Sequence, residues 1–450
     1  MASTRPLNAA SLFSYLVSQL RVHVRPHSRV CVGLSGGRDS VVLLHLVWRA
    51  REELAINISA IHVNHQISPN ANRWADFCVA ICTELDVPLR VECVEVARDS
   101  GKGLEASARH ARYAVYANTA ADAILLGHHR DDQTETILLQ ALRGAGLGGI
   151  SGMPLVKPFG AHKEIIRPLL DVAPRILADY AIANNLKWIH DESNDDTHYT
   201  RNFLRHDVLP LLAERIPQSV ASLVRLGQHA AEAQILLDDL AAIDRTNVLV
   251  GARLSVSRLI CLPRPRAKNL LRFSFAKAAI ALPNAVQLEE MINQLTIRRP
   301  DDQTNITWAD WQLRCYQDEI YLSRKTPNNA THWSIDWQSE TELSLPNACG
   351  MLRVEKIIGA GISANRLAGK KLTVRSRVGG EKYRLSALRP RRSLKNLLQE
   401  ANVPPWRRET IPLMFCDDVL IWVPGIGMDI DFVAQKDEPG LVFSWHTDSE

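Results

Sequence analysis

The sequence predicts a doubly wound α/β domain with a parallel sheet at its N-terminus, then a mainly helical middle domain and a small α+β C-terminal domain. Three observations predict it. Between Arg29 and Arg143 short β-rich runs alternate with stretches at helical spacing, the pattern of crossover units. From Ser219 to about Asn293 the chain is Ala- and Leu-rich at helical spacing, with Pro breaks. Beyond Thr304 short alternating runs return, as at Trp311 to Cys315 and Val419 to Val423. A chain of 450 residues exceeds one ordinary core, and we expect domains at 1–215, 216–345 and 346–450.

Within the first domain the elements follow in order. Val30 to Leu34 reads as a buried first strand, Asp39 to Arg51 as a helix and Ile56 to Val63 as the second strand. Asn72 to Leu85 is helical, Leu89 to Val96 is a third strand, and Leu104 to Ala120 is helical again. A strand at Ala123 to Gly127 precedes a helix over Asp132 to Arg143, and a short strand from Lys163 to Leu170 precedes a helix opened by Pro174.

Hydrophobic residues make up 46% and charged residues 23%, which excludes wholesale disorder. No apolar run approaches the roughly 20 residues of a membrane span, and the first 20 residues lack a secretory pattern, so a cytoplasmic location is expected. The eight cysteines form no CxxC pairs and read as reduced core residues. Cys78 and Cys82, one helical turn apart, suit either helix packing or a metal pair, and packing is preferred. Net charge is only +4, but Lys370 to Arg408 holds twelve Lys or Arg against Glu381 and Glu400. That stretch suits a polyanionic partner, or else is a solvated basic face. Tyr383 and Trp406 within it either stack on bases or pack in the core, the latter being preferred.

The chemistry concentrates where strands end. Gly33-Leu-Ser-Gly-Gly-Arg-Asp-Ser40 joins the first strand to the first helix, where glycines admit a phosphate to helix-start N–H groups. Ser35, Gly36, Gly37, Arg38, Asp39 and Ser40 are therefore the expected pyrophosphate contacts, with Asp39 a candidate magnesium ligand. No Walker lysine follows, and SGGxDS matches instead the loop of enzymes that cleave ATP to AMP and pyrophosphate. Residues after the other strands should converge on the same crevice. His62 and His65 are candidate nucleotide contacts or strand-end caps. Glu105, Arg109 and Arg112 lie within two turns of a helix, the arginines suiting phosphate. In Gly127-His-His-Arg-Asp-Asp-Gln-Thr-Glu-Thr136, Asp132 and Glu135 share a helix face and can grip a cation, metal or ammonium, or serve as first-turn helix caps. At most one of His128 and His129 should face the site. Asp191-Glu-Ser-Asn194 and Thr200 to Arg205 add Arg201, Asn202 and Arg205, either to the site or to a salt-linked domain edge.

These motifs together resemble the tRNA(Ile)-lysidine synthetase family: SGGxDS at Ser35 to Ser40, ExxARxxRY at Glu105 to Tyr113, GHHxDDQxET at Gly127 to Thr136, and DxSN then RNxxR at Asp191 to Arg205. The resemblance continues through Val374 to Tyr383, Arg392 to Glu400 and Val403 to Arg407, similar to the family's terminal tRNA-contacting domain. Asn64 departs from the family's usual Asp, and Arg38 and Arg130 stand at variable positions. The resemblance implies an adenine nucleotide α-hydrolase-like fold and use of ATP, Mg2+ and free L-lysine on the wobble cytidine of a CAU-anticodon tRNA(Ile). It implies that Arg109, Arg112 and Arg205 neutralise charge at the α-phosphate and that Asp132 and Glu135 bind the lysine ammonium. His62, His65, Glu105, His128, Arg201 and Asn202 would contact nucleotide or tRNA. Arg375, Arg377, Lys382, Arg384, Arg391, Arg392, Lys395 and Arg407 would form the basic tRNA surface, and a homodimer is implied by the resemblance alone. Rival readings are a tRNA thiolase, for which no CxxC pair is present, an amidotransferase or NAD-synthetase-like ligase, and a non-catalytic RNA-binding module.

Overall fold

The computed structural model describes residues 7–96, 103–299, 302, 304–325, 332–347, 349–388 and 390–446. The chain divides into two compact units, Met1–Asp239 and Leu240–Glu450, the division falling inside a long helix, Ser219–Val248.

In the first unit, helix α1 (Leu12–His23) precedes strand β1 (Arg29–Gly33), α2 (Arg38–Ala50), β2 (Asn57–Asn64), α3 (Ala71–Glu84) and β3 (Leu89–Cys93). Then come α4 (Leu104–Ala117), β4 (Ala123–Leu125), α5 (Arg130–Leu142), β5 (Val156–Phe159), β6 (Lys163–Ile166) and α6 (Pro174–Ala183). The sheet order is β3-β2-β1-β4-β6-β5, parallel except for the β5–β6 pair. Strand order therefore reverses between β1 and β4, and a crevice opens there beyond the carboxyl ends of the strands. β1 is buried at Val30, Cys31 and Val32, as a central parallel strand covered on both faces must be. One face packs against α1, α2, α3 and α6 in a core that includes Leu16, Leu44, Cys78, Cys82 and Tyr180. The other holds Ile124, Ile165, Tyr116 and Ala121. Cys78 and Cys82 are thus packing residues. All eight cysteines are free, but Cys93 and Cys261 are exposed rather than core, because each lies near the end of its strand or helix.

In the second unit, helices Val256–Cys261, Arg264–Lys277 and Ala285–Ile297 share one core with a three-stranded antiparallel sheet, Asn305–Trp308, Trp311–Tyr316 and Glu319–Arg324. Two further sheets follow. One orders Ser334–Asp336, Leu372–Arg375, Leu413–Cys416, Val419–Val423 and Gly427–Met428, and the other Glu342–Ser344, Met351–Ile358, Pro439–His446 and Ile362–Ser363. The strand content after 304 exceeds what isolated alternating runs suggest, because several of these strands are only two to four residues long.

Candidate functional site at the sheet switch point

The turn after β1 is organised by its own polar groups. The Ser35 amide donates to Ser40 Oγ at 3.2 Å, the Gly37 amide donates to Ser35 Oγ at 3.3 Å, and Ser40 Oγ donates to the Gly37 carbonyl at 2.8 Å. Gly36 has φ +87°, and a Cβ there would lie 2.9 Å from Ile189 Cδ1, so glycine is required twice over. Gly37 caps α2 in an extended conformation, leaving the helix-start N–H groups toward the crevice. Asp39 in the first turn pairs with Arg38 Nε at 2.9 Å and faces His129 Nε2 at 3.5 Å.

The turn after β4 meets this loop closely. A Cβ on Gly127 would stand 2.9 Å from the Asp39 carbonyl oxygen, which explains the glycine. His129 is the N-cap of α5. Its Nδ1 accepts from the Asp131 amide at 3.2 Å, its own amide donates to Asp132 Oδ2 at 3.0 Å, and its Nε2 lies 3.5 Å from both Asp39 and Asp132 carboxylates. His129 thus joins the two loops. Of the pair, His128 is the one expected from sequence to contact nucleotide or tRNA, and the capping role of His129 was visible only as its place before an acidic helix turn.

Asp132 and Glu135 do share one face of α5, and both are buried. They are not free to receive a cation, however. Arg201 Nε donates to Glu135 Oε2 at 2.7 Å and its NH2 to Asp132 Oδ1 at 3.0 Å, while Arg205 Nε donates to Glu135 Oε1 at 2.5 Å and its NH2 to Asp132 Oδ1 at 2.9 Å. Arg205 likewise sits on carboxylates here rather than in an open phosphate site. Two carboxylates against two guanidiniums make a locally neutral four-residue cluster, the only form in which such charges tolerate burial. Arg205 lies in a π-helical turn, Leu204–Val208, following the short helix Thr200–Phe203.

Burial alone would raise the Asp132 pKa, but the charges of His129 and Arg201 overcome it and hold the carboxyl at about 2. A depressed carboxylate pKa stabilises the fold above the ordinary value near 4 and loses that contribution as pH falls toward the folded value. We therefore expect acid unfolding of the first unit to steepen between about pH 4 and pH 2. Asp132→Asn, followed by circular dichroism across that range, should flatten this segment of the curve, and an unchanged curve would contradict the assignment.

Arg109 and Arg112 are exposed on α4; Arg109 stacks over Tyr113 and donates to its hydroxyl at 3.2 Å. The Glu105 side chain lies outside the described residues. Arg167, just after β6, was not singled out from sequence. It is 2% exposed and donates to the Pro154 carbonyl at 2.8 Å and the Tyr113 hydroxyl at 3.4 Å. No signal short of knowing that it ends a strand distinguishes it. Burial, with nearby arginines, pushes His128 down to about 3, so its imidazole is neutral, and its Nδ1 has no hydrogen-bond partner among the described residues. His65 is pushed down to about 4 by burial and Arg112.

Two candidates serve the scaffold instead. His62 is 4% exposed with Nδ1 at 2.9 Å from the Leu34 carbonyl oxygen, so it caps the strand end. Asn202 donates to the Ser193 and Asp196 carbonyls, both at 2.9 Å, pinning the turn between them.

The C-terminal basic run is less bare than its residue count suggests. Arg377 pairs with Glu381, Arg392 with Glu400, Arg384 with Asp431, Arg391 with Asp429 and Asp431, and Arg375 with Asp418. Three of those acids lie beyond residue 408, where a local charge count does not reach. Lys382 and Lys395 are exposed, and Arg407 is half-buried. Tyr383 is fully buried with its hydroxyl on the Gly427 carbonyl, and Trp406 packs edge-on against Tyr316 and Tyr321, so neither stands free for stacking.

A parallel sheet with a lysine-free phosphate loop at its switch point, beside the carboxylates of α5, defines an ATP-binding domain of the PP-loop class. The PP-loop domain model matches residues 10–212, the TilS substrate binding domain matches 254–321, and the TilS substrate C-terminal domain matches 372–445. Over its length the chain is 42% identical to the tRNA(Ile)-lysidine synthase of Nitrosomonas europaea, covering 99% of this chain and 98% of that one. It is 37% identical to the same-named protein of an Azoarcus species, covering 94% and 92%. The Coxiella burnetii protein of that name is 36% identical, with 92% of each chain covered. The chain belongs to the tRNA(Ile)-lysidine synthase family. Among the described residues no helix is long and apolar enough to cross a membrane.

Proposed function

We propose that the protein is a cytoplasmic ligase that joins free L-lysine to C2 of the wobble cytidine in tRNA(Ile) bearing a CAU anticodon, at the expense of ATP. The base's C2 oxygen attacks the α-phosphorus and pyrophosphate leaves; the lysine amine then attacks C2, and AMP departs with that oxygen as the amine loses a proton. The product is lysidine, which changes the decoded amino acid from Met to Ile. The observation that carries this reading is the convergence, through His129, of the phosphate loop with the Asp132–Glu135 pair at one switch point.

The Ser35 to Ser40 loop binds pyrophosphate with its helix-start amides and hydroxyls. No group of three or more potential metal-binding side chains occurs among the described residues. A single carboxylate such as Asp39 fits Mg2+, which takes most of its ligands from phosphate and water, and the ion would neutralise charge on the departing pyrophosphate. Arg109 and Arg112 face phosphate from α4. The lysine ammonium binds Asp132 and Glu135 by taking the place of Arg205, the more exposed of the two guanidiniums at 33% against 24%. Released, Arg205 turns to the α-phosphate, and Arg201 keeps the carboxylates charged. Three functional domains, 1–215, 216–345 and 346–450, complete the reading, with Lys382, Lys395 and Arg407 on the tRNA-facing surface and a homodimer on grounds of family alone.

The test is pyrophosphate release and incorporation of labelled lysine with CAU-anticodon tRNA. Both are expected; lysine incorporation should require all three substrates, whereas pyrophosphate release, which precedes lysine attack, should require ATP and tRNA. Pyrophosphate without lysine incorporation points to a thiolase or another ligase on the same loop; neither product points to a binding module.

A further inference from the structure

Beside the phosphate loop, on the α3 and α6 face of the sheet, lies a cavity of about 610 Å3 walled by α3 and by the extended segment 186–192. That volume falls within the roughly 300–1,000 Å3 of small-ligand sites. Its lining is aromatic and cationic together: Trp74 and Phe77 from α3, Trp188 opposite, and Arg73, Lys187 and His190 around them. Trp188 is 42% exposed, unusual for so large an apolar ring, and neither indole N–H makes a hydrogen bond among the described residues. Arg73 and Lys187 have no ion-pair partner among the described residues, whereas His190 is paired with Asp195 at 2.8 Å. The two walls are tied together by Asn70, which donates to Glu192 at 3.4 Å. The second wall is tied in turn to the loop, because the Ile189 amide donates to the Gly36 carbonyl at 2.9 Å.

We propose that this cavity receives an unstacked nucleobase of the RNA substrate, next to the nucleotide being modified. π-Faces accept any base by stacking, unpaired cations suit the flanking phosphates, and free indole donors suit base or sugar oxygens. A purely apolar partner would leave Arg73 and Lys187 unused, and a free anion would leave the rings unused. The bond from Ile189 to Gly36 also sets a base seated here directly beside the phosphate loop. The inference rests on the proposed tRNA reaction.

The test compares wild type with Trp188→Ala, Trp188→Phe and the pair Arg73→Ala/Lys187→Ala in the full chain. The readouts are filter-binding affinity for CAU-anticodon tRNA at several salt concentrations and the KM for ATP. Trp188→Ala should weaken tRNA binding on the order of tenfold, with Trp188→Phe restoring most of it and the KM for ATP unchanged. The charge pair should weaken binding and lower the salt slope by about one per contact removed. Unaltered tRNA affinity in Trp188→Ala overturns the proposal. A raised KM for ATP with unaltered tRNA affinity also overturns it and assigns the cavity to adenine. Because binding is read apart from lysine transfer, a wild-type protein that binds tRNA but transfers no lysine counts against the ligase reading and leaves the cavity's assignment to be decided by the variants.

Discussion

Glu135→Ala is expected to abolish lysine incorporation and to destabilise the first unit by about 3–5 kcal/mol. The side chain is fully buried and accepts from Arg201 at 2.7 Å and from Arg205 at 2.5 Å. Removing it leaves two guanidiniums against the single carboxylate of Asp132, and an uncompensated buried charge costs far more than the ion pair contributes. Urea unfolding monitored by far-ultraviolet circular dichroism would read the loss. Glu135→Gln keeps the shape and most hydrogen-bonding capacity, so it should recover part of the stability but not the lysine step, which requires the charge. Full lysine transfer by Glu135→Gln would remove this residue from the ammonium site.

Asp39→Asn should leave the fold intact and reduce pyrophosphate release by roughly a hundred- to a thousandfold, the usual cost of losing one electrostatic group at a reacting phosphate. The amide is nearly isosteric, and Asp39 is partly exposed at 28%, so its burial cost is small. Two consequences separate the role from simple damage. The melting temperature should stay close to wild type, and excess Mg2+ should restore part of the rate if the carboxylate is the ion's protein ligand, because its loss weakens binding of the ion. A rate within a few-fold of wild type would show that Asp39 serves only to hold Arg38 and His129.

The N-terminal sheet and its phosphate loop were legible in the sequence because parallel strands buried on both faces read as short apolar runs, and because glycines at a strand-to-helix turn have few other uses. Strand and helix limits agree to within a few residues from Arg29 to Leu142. What sequence could not show was partnership across distance. Asp132, Glu135, Arg201 and Arg205 each stood out singly, yet their mutual neutralisation depends on a fold that brings residues about 70 positions apart within hydrogen-bond reach. The same limitation hid the acids at 418, 429 and 431 that pair with the basic run, and hid Arg167, whose burial follows only from its place at the end of β6. Tyr383 shows the converse: core packing was the preferred reading for this aromatic among basic residues, and the ring is fully buried.

The separation between the two halves of the charge cluster also sets a timetable. Arg201 and Arg205 follow their carboxylate partners by 66 to 73 residues. On a ribosome adding about 5–20 residues per second, α5 therefore exists for roughly 3 to 15 seconds before its counter-ions are made. During that interval Asp132 and Glu135 must stay hydrated or protonated, and the crevice end of α5 cannot close. The growing chain thus completes its phosphate loop and carboxylate pair early and their counter-ions later, so a nascent or prematurely ended polypeptide lacking the Thr200 to Arg205 segment carries the nucleotide loop beside two carboxylates without their guanidinium partners.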